Sequence, residues 1–241
     1  VPAVARFEEP LDLNLVFSGH GKHLDCPTLR LTNHHGLMIA GEAALSNWDA
    51  GMDMYIYGKL GNLTMTKEGI NVLMTNLTGK VPPILQRLDY IRFNGEAAGY
   101  LHDLTLTGLF HTGAGMVKTD VMMSIDEQSM SRTYSGSVAS ADLDLGKLLN
   151  QEKKFGKVDF NVELKGFNYK NRYPESYIKG IISSFEYSQY QYENIMLDGV
   201  YKDGGFNGRL SMDDANGSVQ IDGNFNVAKT IPDFNLKASV K

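Results

Sequence analysis

The residue types best suited to holding a metal ion lie close together near the start of the chain. His20, His23, Asp25 and Cys26 fall within one short stretch, and a His34-His35 pair follows a little further on. Imidazole, carboxylate and thiolate groups are the usual ligands of Zn²⁺. Their spacing matches no standard zinc finger, because the second pair of ligands is missing. We therefore predict solvent-facing histidines in a loop, with a zinc site completed by His34-His35 as the alternative.

A glycine pair further along begins like a dinucleotide-binding fingerprint. Gly113 and Gly115 have the spacing of its first two glycines, but Lys118 stands where the last glycine is required. The strand-to-helix turn that such a site needs is not predicted here either. Because both the residue and its structural setting differ from the motif, we predict no nucleotide site.

Paired carboxylates are the remaining candidates for catalysis. Asp142 with Asp144, and Asp213 with Asp214, could divide the roles of acid and base. Aspartate is also the ordinary residue of turns and strand ends, which is the interpretation that we favour. No Gly-x-Ser-x-Gly motif occurs, and Cys26 has no predicted base beside it. The sequence therefore predicts no enzyme, no catalytic residue, no metal ion and no cofactor.

The composition narrows the class of protein. The chain has 241 residues, of which 42% are hydrophobic, so it is not a disordered segment. Its formal charge of −5 shows no basic excess, and we therefore expect no nucleic-acid partner. The single cysteine excludes a disulfide scaffold. No apolar stretch approaches the ~20 residues of a membrane helix. We interpret both ends of the sequence as cuts within a longer protein.

Apolar and polar residues alternate strictly in the last third of the chain. A period of two places the apolar side chains of a strand on one face and the polar ones on the other. Such alternation is typical of an antiparallel sheet with one dry and one solvated face. The apolar residues that we predict to line a groove are Phe206, Leu210, Met212, Val219, Ile221, Phe225, Val227, Phe234 and Leu236.

The same alternation continues upstream with more exceptions, so we predict one continuous all-β unit over residues 1–241. Tight hairpin turns are expected at residues 202–205 and 213–217, which are rich in Asp and Gly. Only two short stretches are predicted to be helical: residues 82–88, which begin with two prolines, and residues 145–150. Neither is long enough to cover a large apolar face.

Glycines interrupt the predicted apolar lines, at Gly41, Gly58, Gly208 and Gly223. Glycine within a strand weakens it and often marks a bend or a close approach of two backbones. Repeated from strand to strand on the apolar face, these glycines would let the sheet curl. The expected architecture is therefore an elongated, curled antiparallel sheet with an apolar interior. A sheet that folds over into a closed sandwich is the alternative.

Several short segments resemble one protein family. Four segments resemble a recurring stretch of TamB-like proteins from Bacteroidetes-type bacteria. They are Ile178-Lys179-Gly180, Phe185-Glu186-Tyr187, Leu197-Asp198-Gly199 and Phe206-Asn207-Gly208. Residues 91–120 and 134–149 are similar to two further pieces of that family. The order and spacing of the segments carry the resemblance to the AsmA/TamB-like family, and it covers roughly the last two-thirds of the chain.

The resemblance implies a fold called a β-taco, which is an open, curled antiparallel sheet with an apolar groove. Family members span the periplasm and are held in the inner membrane by an N-terminal helix, which this fragment lacks. They are linked to phospholipid movement between the two membranes, and to assembly of outer-membrane β-barrel proteins with a TamA-like partner. By this resemblance we expect a periplasmic location, as part of a membrane-anchored envelope protein.

Together these observations predict a non-enzymatic segment whose groove shields phospholipid acyl chains between the inner and outer membranes. A lipid tail gains ~0.8 kcal/mol for each methylene that it buries. The main alternative is a chaperone for outer-membrane β-barrel proteins, in which an open sheet edge templates an incoming strand. A sugar-binding platform made by the tyrosines between residues 173 and 201, and a polysaccharide-acting β-helix enzyme, are further alternatives.

Overall fold

A computed structural model of the chain describes residues 10–129, 131–168, 175–226 and 233–241, with the backbone alone at 76–78. Strand makes up 72% of the structure. The 15 strands of the described residues form one antiparallel sheet that does not close, which confirms the predicted all-β class and open sheet. Consecutive strands are neighbours in the sheet, except that the eighth pairs with the tenth and the ninth lies off this path against the tenth.

The strands vary in length from 2 to 14 residues. The first seven are β1 (Leu11–His20), β2 (His23–Asn33), β3 (Leu37–Ser46), β4 (Tyr55–Thr66), β5 (Tyr90–Tyr100), β6 (Asp103–Thr112) and β7 (Gly115–Ile125). The other eight are β8 (Arg132–Ala141), β9 (Leu143–Asp144), β10 (Phe155–Asn168), β11 (Glu175–Tyr187), β12 (Tyr190–Lys202), β13 (Gly205–Asp214), β14 (Gly217–Asn226) and β15 (Asp233–Val240).

The described residues fall into two compact units. The first holds the residues up to Lys118 together with Lys147–Asn150, and the second holds Thr119–Gly146 and Gln151–Lys241. The α-helices of the described chain are α1 (Lys67–Thr78), α2 (Pro83–Gln86) and α3 (Leu145–Leu149), and a 3-10 turn covers Gly51–Asp53. The two helical stretches predicted from the sequence correspond to α2 and α3.

The longest helix, α1, was missed by the sequence-based prediction. The hydroxyl oxygen of Thr66 caps it by accepting a hydrogen bond from the backbone N–H of Gly69 at 3.1 Å. Gly79 ends it in the left-handed conformation, with a φ of 76°. Asn71 and Val72 are poor helix formers, which obscured the helix in the sequence. Tertiary packing decides the conformation instead, since Ile70 is only 1% exposed.

Helix α1 packs over part of the apolar face of the first unit. Ile70 forms a buried cluster with Leu88, Ile91 and Ala114. Ile91 of β5 lies directly opposite Met65 of β4, so the cluster sits at one end of these strands. The 12-residue helix α1, which was not among the predicted helices, therefore covers one end of this apolar face and buries an apolar side chain against the strands.

Hairpin turns in the second unit follow the chemistry predicted for them. Asp203 and Gly204 join β12 to β13 with φ values of 50° and 77°. Two successive positions with positive φ match the right-handed twist of a hairpin, and Asp-Gly is a preferred pair for it. The turn at residues 202–205 is thus confirmed. Such turns fix the register of the strands, and a register decides which side chains share a face.

Candidate functional site

The apolar face of the second unit is built from rows of side chains that run across the strands. Directly opposite residues of antiparallel strands point to the same face. Leu210 of β13 lies between Leu197 of β12 and Ile221 of β14. We call this line the aliphatic row, and its members are Val138, Val162, Gly180, Leu197, Leu210, Ile221 and Ala238.

Two further rows flank the aliphatic row. In the aromatic row, Phe225 of β14 lies between Phe206 of β13 and Phe234 of β15. The ring centroids of Phe206 and Phe225 are 5.7 Å apart. The third line, the outer row, contains Phe160, Ile182, Ile195, Met212, Val219 and Val240. The apolar face therefore continues without a break from β10 to β15.

The residues predicted to line a groove lie together on this face wherever the structure describes them. They include three members of the aromatic row, two of the aliphatic row, and Met212 and Val219 of the outer row. Leu236 lies between the aromatic and aliphatic rows, opposite Gly223. Val227 lies outside the described residues.

Sequence reasoning missed the part of this face that β10–β12 contribute. Ile178 and Ile182 of β11 lie on it, as does Ile195 of β12, which is only 7% exposed. The signal that could have revealed this part of the face is the alternation of apolar and polar residues across residues 178–182 and 195–199. Ile181 and Met196 obscured it, because these apolar residues face each other on the opposite side of the sheet, where polar residues are expected.

Exposure of the apolar face increases toward β15. Leu210 and Ile221 are half-buried, whereas Phe225 is 38% exposed, Leu236 44% and Phe234 59%. A central strand is shielded by neighbours on both sides, while β15 has a neighbour on one side only in the described chain. A contiguous apolar surface of this kind normally marks a contact surface.

Glycines line the space between the aromatic and aliphatic rows. Gly208 of β13 lies between Gly199 of β12 and Gly223 of β14. A Cβ atom built on Gly208 would lie 2.5 Å from the Cα atom of Gly199 and would overlap the carbonyl oxygen of Asp198. The ring of Phe206 occupies the space that a side chain on Gly199 would need. The predicted close approach of backbones is therefore present along this line.

The polar side of the same strands carries charges that alternate in sign from strand to strand. In order across the sheet they are Glu163, Lys179, Asp198, Arg209, Asp222 and Lys237, each directly opposite the next. We call this line the charge ladder. The Nε atom of Arg209 lies 2.6 Å from the Oδ1 atom of Asp222. Because facing residues of opposite charge attract and like charges repel, the ladder favours this one register.

Hydrogen bonds stabilise the charged form of Asp222. Gln220 donates from Nε2 to the Oδ2 atom at 2.7 Å, and Arg209 donates from Nε to Oδ1. Together they hold the pKa of the Asp222 carboxyl below its ordinary value, and the same contact raises the pKa of Arg209. These side chains are exposed to water, so the pair contributes to the choice of register more than to overall stability.

No family model, curated protein or solved structure matches the chain. Among the described residues, no helix is both long enough and apolar enough to cross a membrane.

The histidines near the start of the chain lie at a hairpin. His20 ends β1 and lies opposite His23, which begins β2. The two ring nitrogens of His23 lie 2.7 Å from the hydroxyl oxygen of Ser46 and 2.9 Å from Oδ2 of Asp25. In the described parts of the chain, no group of three or more His, Cys, Asp or Glu side chains could hold a metal ion. The zinc alternative thus gains no support from this geometry.

The tyrosine-rich stretch makes ring contacts at the hairpin between β11 and β12. Tyr187 lies opposite Tyr190, and the ring centroids of Tyr190 and Tyr192 are 4.6 Å apart. The hydroxyl group of Tyr190 donates a hydrogen bond to Oδ2 of Asp214 at 2.9 Å. Tyr173 lies outside the described residues. Cross-strand ring contacts, of Tyr187 with Phe155 and of Tyr192 with Phe185, account for these two tyrosines of the cluster.

Open hollows lie beside charged side chains in both units. One of about 780 Å³ in the first unit is lined by Gly41, Gly95 and Gly108 together with charged neighbours. Another, of about 470 Å³, lies beside Lys179 and Arg209 of the charge ladder.

Proposed function

We propose that the chain is a non-enzymatic segment of an AsmA/TamB-like envelope protein, whose apolar face shields phospholipid acyl chains during transfer between the inner and outer membranes. The parent protein would lie in the periplasm, anchored in the inner membrane, with a TamA-like partner at the outer membrane. The family assignment is supported by the order of the sequence segments that resemble it. An open all-β sheet is also the kind of fold that the resemblance implies.

One observation carries the lipid proposal: the aliphatic row runs from β8 to β15 without an ionisable side chain. At ~4.8 Å for each step between strands, the row spans roughly 29 Å. An acyl chain that lies along it would meet an aliphatic side chain at each strand except β11, where the row has Gly180. Burying a surface usually costs free energy because charged and polar groups lose their hydration. The row has no such side chain, so covering it with an acyl chain avoids this cost.

The free energy of binding follows from the same rows. Each methylene that is buried against residues such as Leu197, Leu210 and Ile221 gains ~0.8 kcal/mol, so a partly buried tail gains several kcal/mol. The chemistry of the rows changes little from one strand to the next. Movement of a tail along the rows therefore requires no large barrier, which suits a conduit better than a storage site.

A chaperone for outer-membrane β-barrel proteins is the second candidate. Its support is that β1 and β15 each pair along one side only in the described chain. The free N–H and C=O groups of such an edge can template an incoming strand. The two candidates place their ligands differently, because a lipid would lie on the apolar face and a polypeptide would lie along an edge.

Photo-crosslinking of the purified 241-residue chain distinguishes these candidates. A photoreactive residue replaces Leu210 or Ile221 in the aliphatic row, and the matched controls carry it at Arg209 or Gln220 on the polar side. Vesicles of phosphatidylethanolamine and phosphatidylglycerol serve as the lipid probe. We expect mass spectrometry to find phospholipid adducts at the two apolar positions and not at the two polar ones.

Other outcomes decide against the lipid proposal. Equal lipid adducts at all four positions would indicate adsorption without a groove, and their absence at both apolar positions would exclude lipid binding at this face. An unfolded outer-membrane β-barrel protein is the second probe, with a further photoreactive residue at Ser239 on β15. Polypeptide adducts confined to Ser239 would favour the chaperone.

A further inference from the structure

Two large apolar side chains interrupt the polar side of the second unit. Ile181 of β11 and Met196 of β12 lie directly opposite each other on that side. Ile181 is 40% exposed and Met196 is 59% exposed. Both strands are central in the sheet, with a neighbouring strand on either side. Adjacent apolar residues that stay exposed on a polar surface are candidates for a contact surface.

Opposite charges and a second apolar pair follow along the same two strands. Lys179 and Asp198 of the charge ladder lie opposite each other next to the apolar pair, with Nζ and Oδ2 3.8 Å apart. Tyr177 lies opposite Val200 one step further and is 40% exposed. The polar side of β11 and β12 thus presents an apolar pair, an ion pair and another apolar pair in succession.

An open hollow lies among these side chains. It has a volume of about 470 Å³ and is lined by Ile181, Met196, Lys179 and Asp198, among others. The side chain of methionine is flexible and fills irregular gaps in apolar contacts. The hollow therefore has room for an apolar side chain from a partner, with Ile181 beside it.

This surface is complementary to itself. We consider two copies that meet with their polar sides, about a two-fold axis that runs parallel to the strands and midway between β11 and β12. Each residue of β11 then lies across from the β12 residue that is its neighbour within the chain, and β10 matches β13 in the same way. The pairs across the contact are Ile181 with Met196, Tyr177 with Val200, Lys179 with Asp198, and Glu163 with Arg209.

Neighbouring positions of the axis match less well. An axis between β12 and β13 keeps opposite charges together but sets Met196 against Ser211. An axis along β12 itself sets Lys179 against Arg209, and these like charges repel. The alternating charges therefore favour an axis between two strands, and the apolar pair selects the space between β11 and β12.

We propose that two copies of the chain form a symmetric dimer through the polar side of β10–β13, with Ile181 of each copy against Met196 of the other. The same patch serves both copies in a two-fold contact, so assembly stops at the dimer. The dimer goes beyond the proposed lipid binding and does not rest on it, because the contact leaves the apolar face of each copy free.

Sedimentation equilibrium of the purified 241-residue chain tests the assembly. We expect the weight-average mass to rise with protein concentration and to level off at that of a dimer. The association should weaken at high salt, because exposed ion pairs are screened. A chain that stays monomeric up to ~1 mM overturns the proposal. A mass that rises past the dimer overturns it as well, because a two-fold contact is closed.

Charge reversal in two separate variants tests the position of the axis. Lys179→Asp and Asp198→Lys each turn both copies of the attractive pair into repulsive ones, so either variant alone should dimerise about tenfold more weakly. In a mixture, the new carboxylate of one chain lies across from the new ammonium group of the other. The mixed dimer should therefore form about as readily as the parent dimer.

Recovery in the mixture cannot come from a repair within either chain. A loss of fold, or a disturbed charge ladder, would persist when the two variants are combined. Fluorescent labelling of one variant and sedimentation of the mixture measure the recovery. If the mixture associates as weakly as the separate variants, Lys179 and Asp198 do not meet across the axis and the proposal is overturned.

Removal of an apolar side chain tests the centre of the contact. Met196→Ala should weaken the dimer at least about tenfold, because symmetry makes each lost contact occur twice. Met122→Ala removes the same atoms from β7, where Met122 is 44% exposed, and should leave the dimer unchanged. Circular dichroism establishes that both variants keep the folded sheet. A folded Met196→Ala variant that dimerises as strongly as the parent overturns the proposal.

Discussion

Gly41 of β3 packs so closely against Lys59 of β4 that a side chain on the glycine would overlap the carbonyl oxygen of the lysine. A Cβ atom on Gly41 would also lie 3.0 Å from the Cα atom of Leu60. Both neighbours are backbone atoms, which cannot rotate away as a flexible side chain can. At Gly58 of β4, in contrast, a Cβ atom would meet nothing within 4 Å. Two glycines in neighbouring strands, both predicted to line the apolar face, thus have different roles.

Gly41→Ala should destabilise the chain and Gly58→Ala should not. Forcing a methyl group against a neighbouring backbone costs about 1–3 kcal/mol through strand displacement. Gly58→Ala has room for its methyl group and also reduces the entropy of the unfolded chain, so its effect should be neutral or slightly stabilising. Urea unfolding of the two variants measures the difference. Equal destabilisation by both would show that close approach is not the reason for glycine at position 41.

The cap of α1 gives a second prediction. The hydroxyl group of Thr66 accepts a hydrogen bond from Gly69 and donates one to the carbonyl oxygen of His35 at 2.6 Å. Thr66→Ala loses both bonds and should lower the free energy of unfolding by about 1 kcal/mol. Thr66→Ser keeps the hydroxyl group and should retain most of that stability. Thermal unfolding of the three proteins tests this, and a serine variant as unstable as the alanine variant would point to the methyl group instead.

Local patterns in the sequence were sufficient to predict strands β13–β15 of the second unit. Leu210 and Ile221 were placed on the apolar face because alternation of period two depends only on near neighbours along the chain. The turn at Asp203 and Gly204 was predictable for the same reason, since its backbone conformation selects its residues. Where short-range chemistry decides the structure, the sequence was enough.

Features that depend on long-range contacts were not predictable in this way. Asp198 and Arg209 become neighbours only when the strand register is known, so the charge ladder has no signature along the chain. Helix α1 is stabilised by the burial of Ile70 and not by the helix propensity of its residues. Ile181 and Met196 broke the alternation because they face each other on the otherwise polar side.

Removal of the buried side chain at the centre of α1 gives a third prediction. Ile70 is 1% exposed and packs with Leu88 and Ile91, whereas Ile84 of α2 is 49% exposed. Ile70→Ala should lower the free energy of unfolding by about 2–5 kcal/mol, because it removes buried methyl groups and leaves a cavity. Ile84→Ala removes the same atoms from a solvated position and should cost far less. Urea unfolding measures both, and similar losses would contradict the packing described for α1.

The ion pair between Lys147 and Asp89 gives a prediction about pH. The Nζ atom of Lys147 lies 2.7 Å from Oδ2 of Asp89, and this contact holds the pKa of the carboxyl below its ordinary value. A carboxyl group with a lower pKa in the folded chain stabilises the fold above its unfolded pKa of about 3.9. That contribution is lost as the pH falls through the folded pKa. Asp89→Asn should therefore be less stable than the parent at neutral pH.

Thermal unfolding between neutral pH and about pH 3 tests this dependence. The difference between the parent chain and Asp89→Asn should begin to shrink as the pH falls below about 4, because the carboxyl of the unfolded chain then binds a proton, and it should be lost once the pH falls through the folded pKa. Lys147→Gln should lose a similar amount at neutral pH, and the double variant should lose little more than either single one. A difference that stays constant with pH would show that the loss does not come from the charge of Asp89.

A charge in the aliphatic row should prevent lipid binding, whereas the same charge on the other side of the strand should not. Leu210 lies between Leu197 and Ile221, and Ser211 is the next residue on β13, opposite Gln220. Leu210→Glu would require a carboxylate to lose its hydration when an acyl chain covers it, so lipid crosslinking at Ile221 should fall at least about tenfold. Ser211→Glu adds the same charge to the polar side and should leave the crosslinking yield unchanged.

Leu210→Ala separates loss of hydrophobic surface from introduction of charge. It removes methyl groups and keeps the row apolar, so the lipid crosslinking yield at Ile221 should fall only a fewfold, in proportion to the lost contact area. Circular dichroism and thermal unfolding establish that each variant retains the folded sheet. If Leu210→Glu folds and still crosslinks lipid as well as Ser211→Glu does, the aliphatic row is not the lipid-binding surface, and the edges of the sheet become the remaining candidates for function.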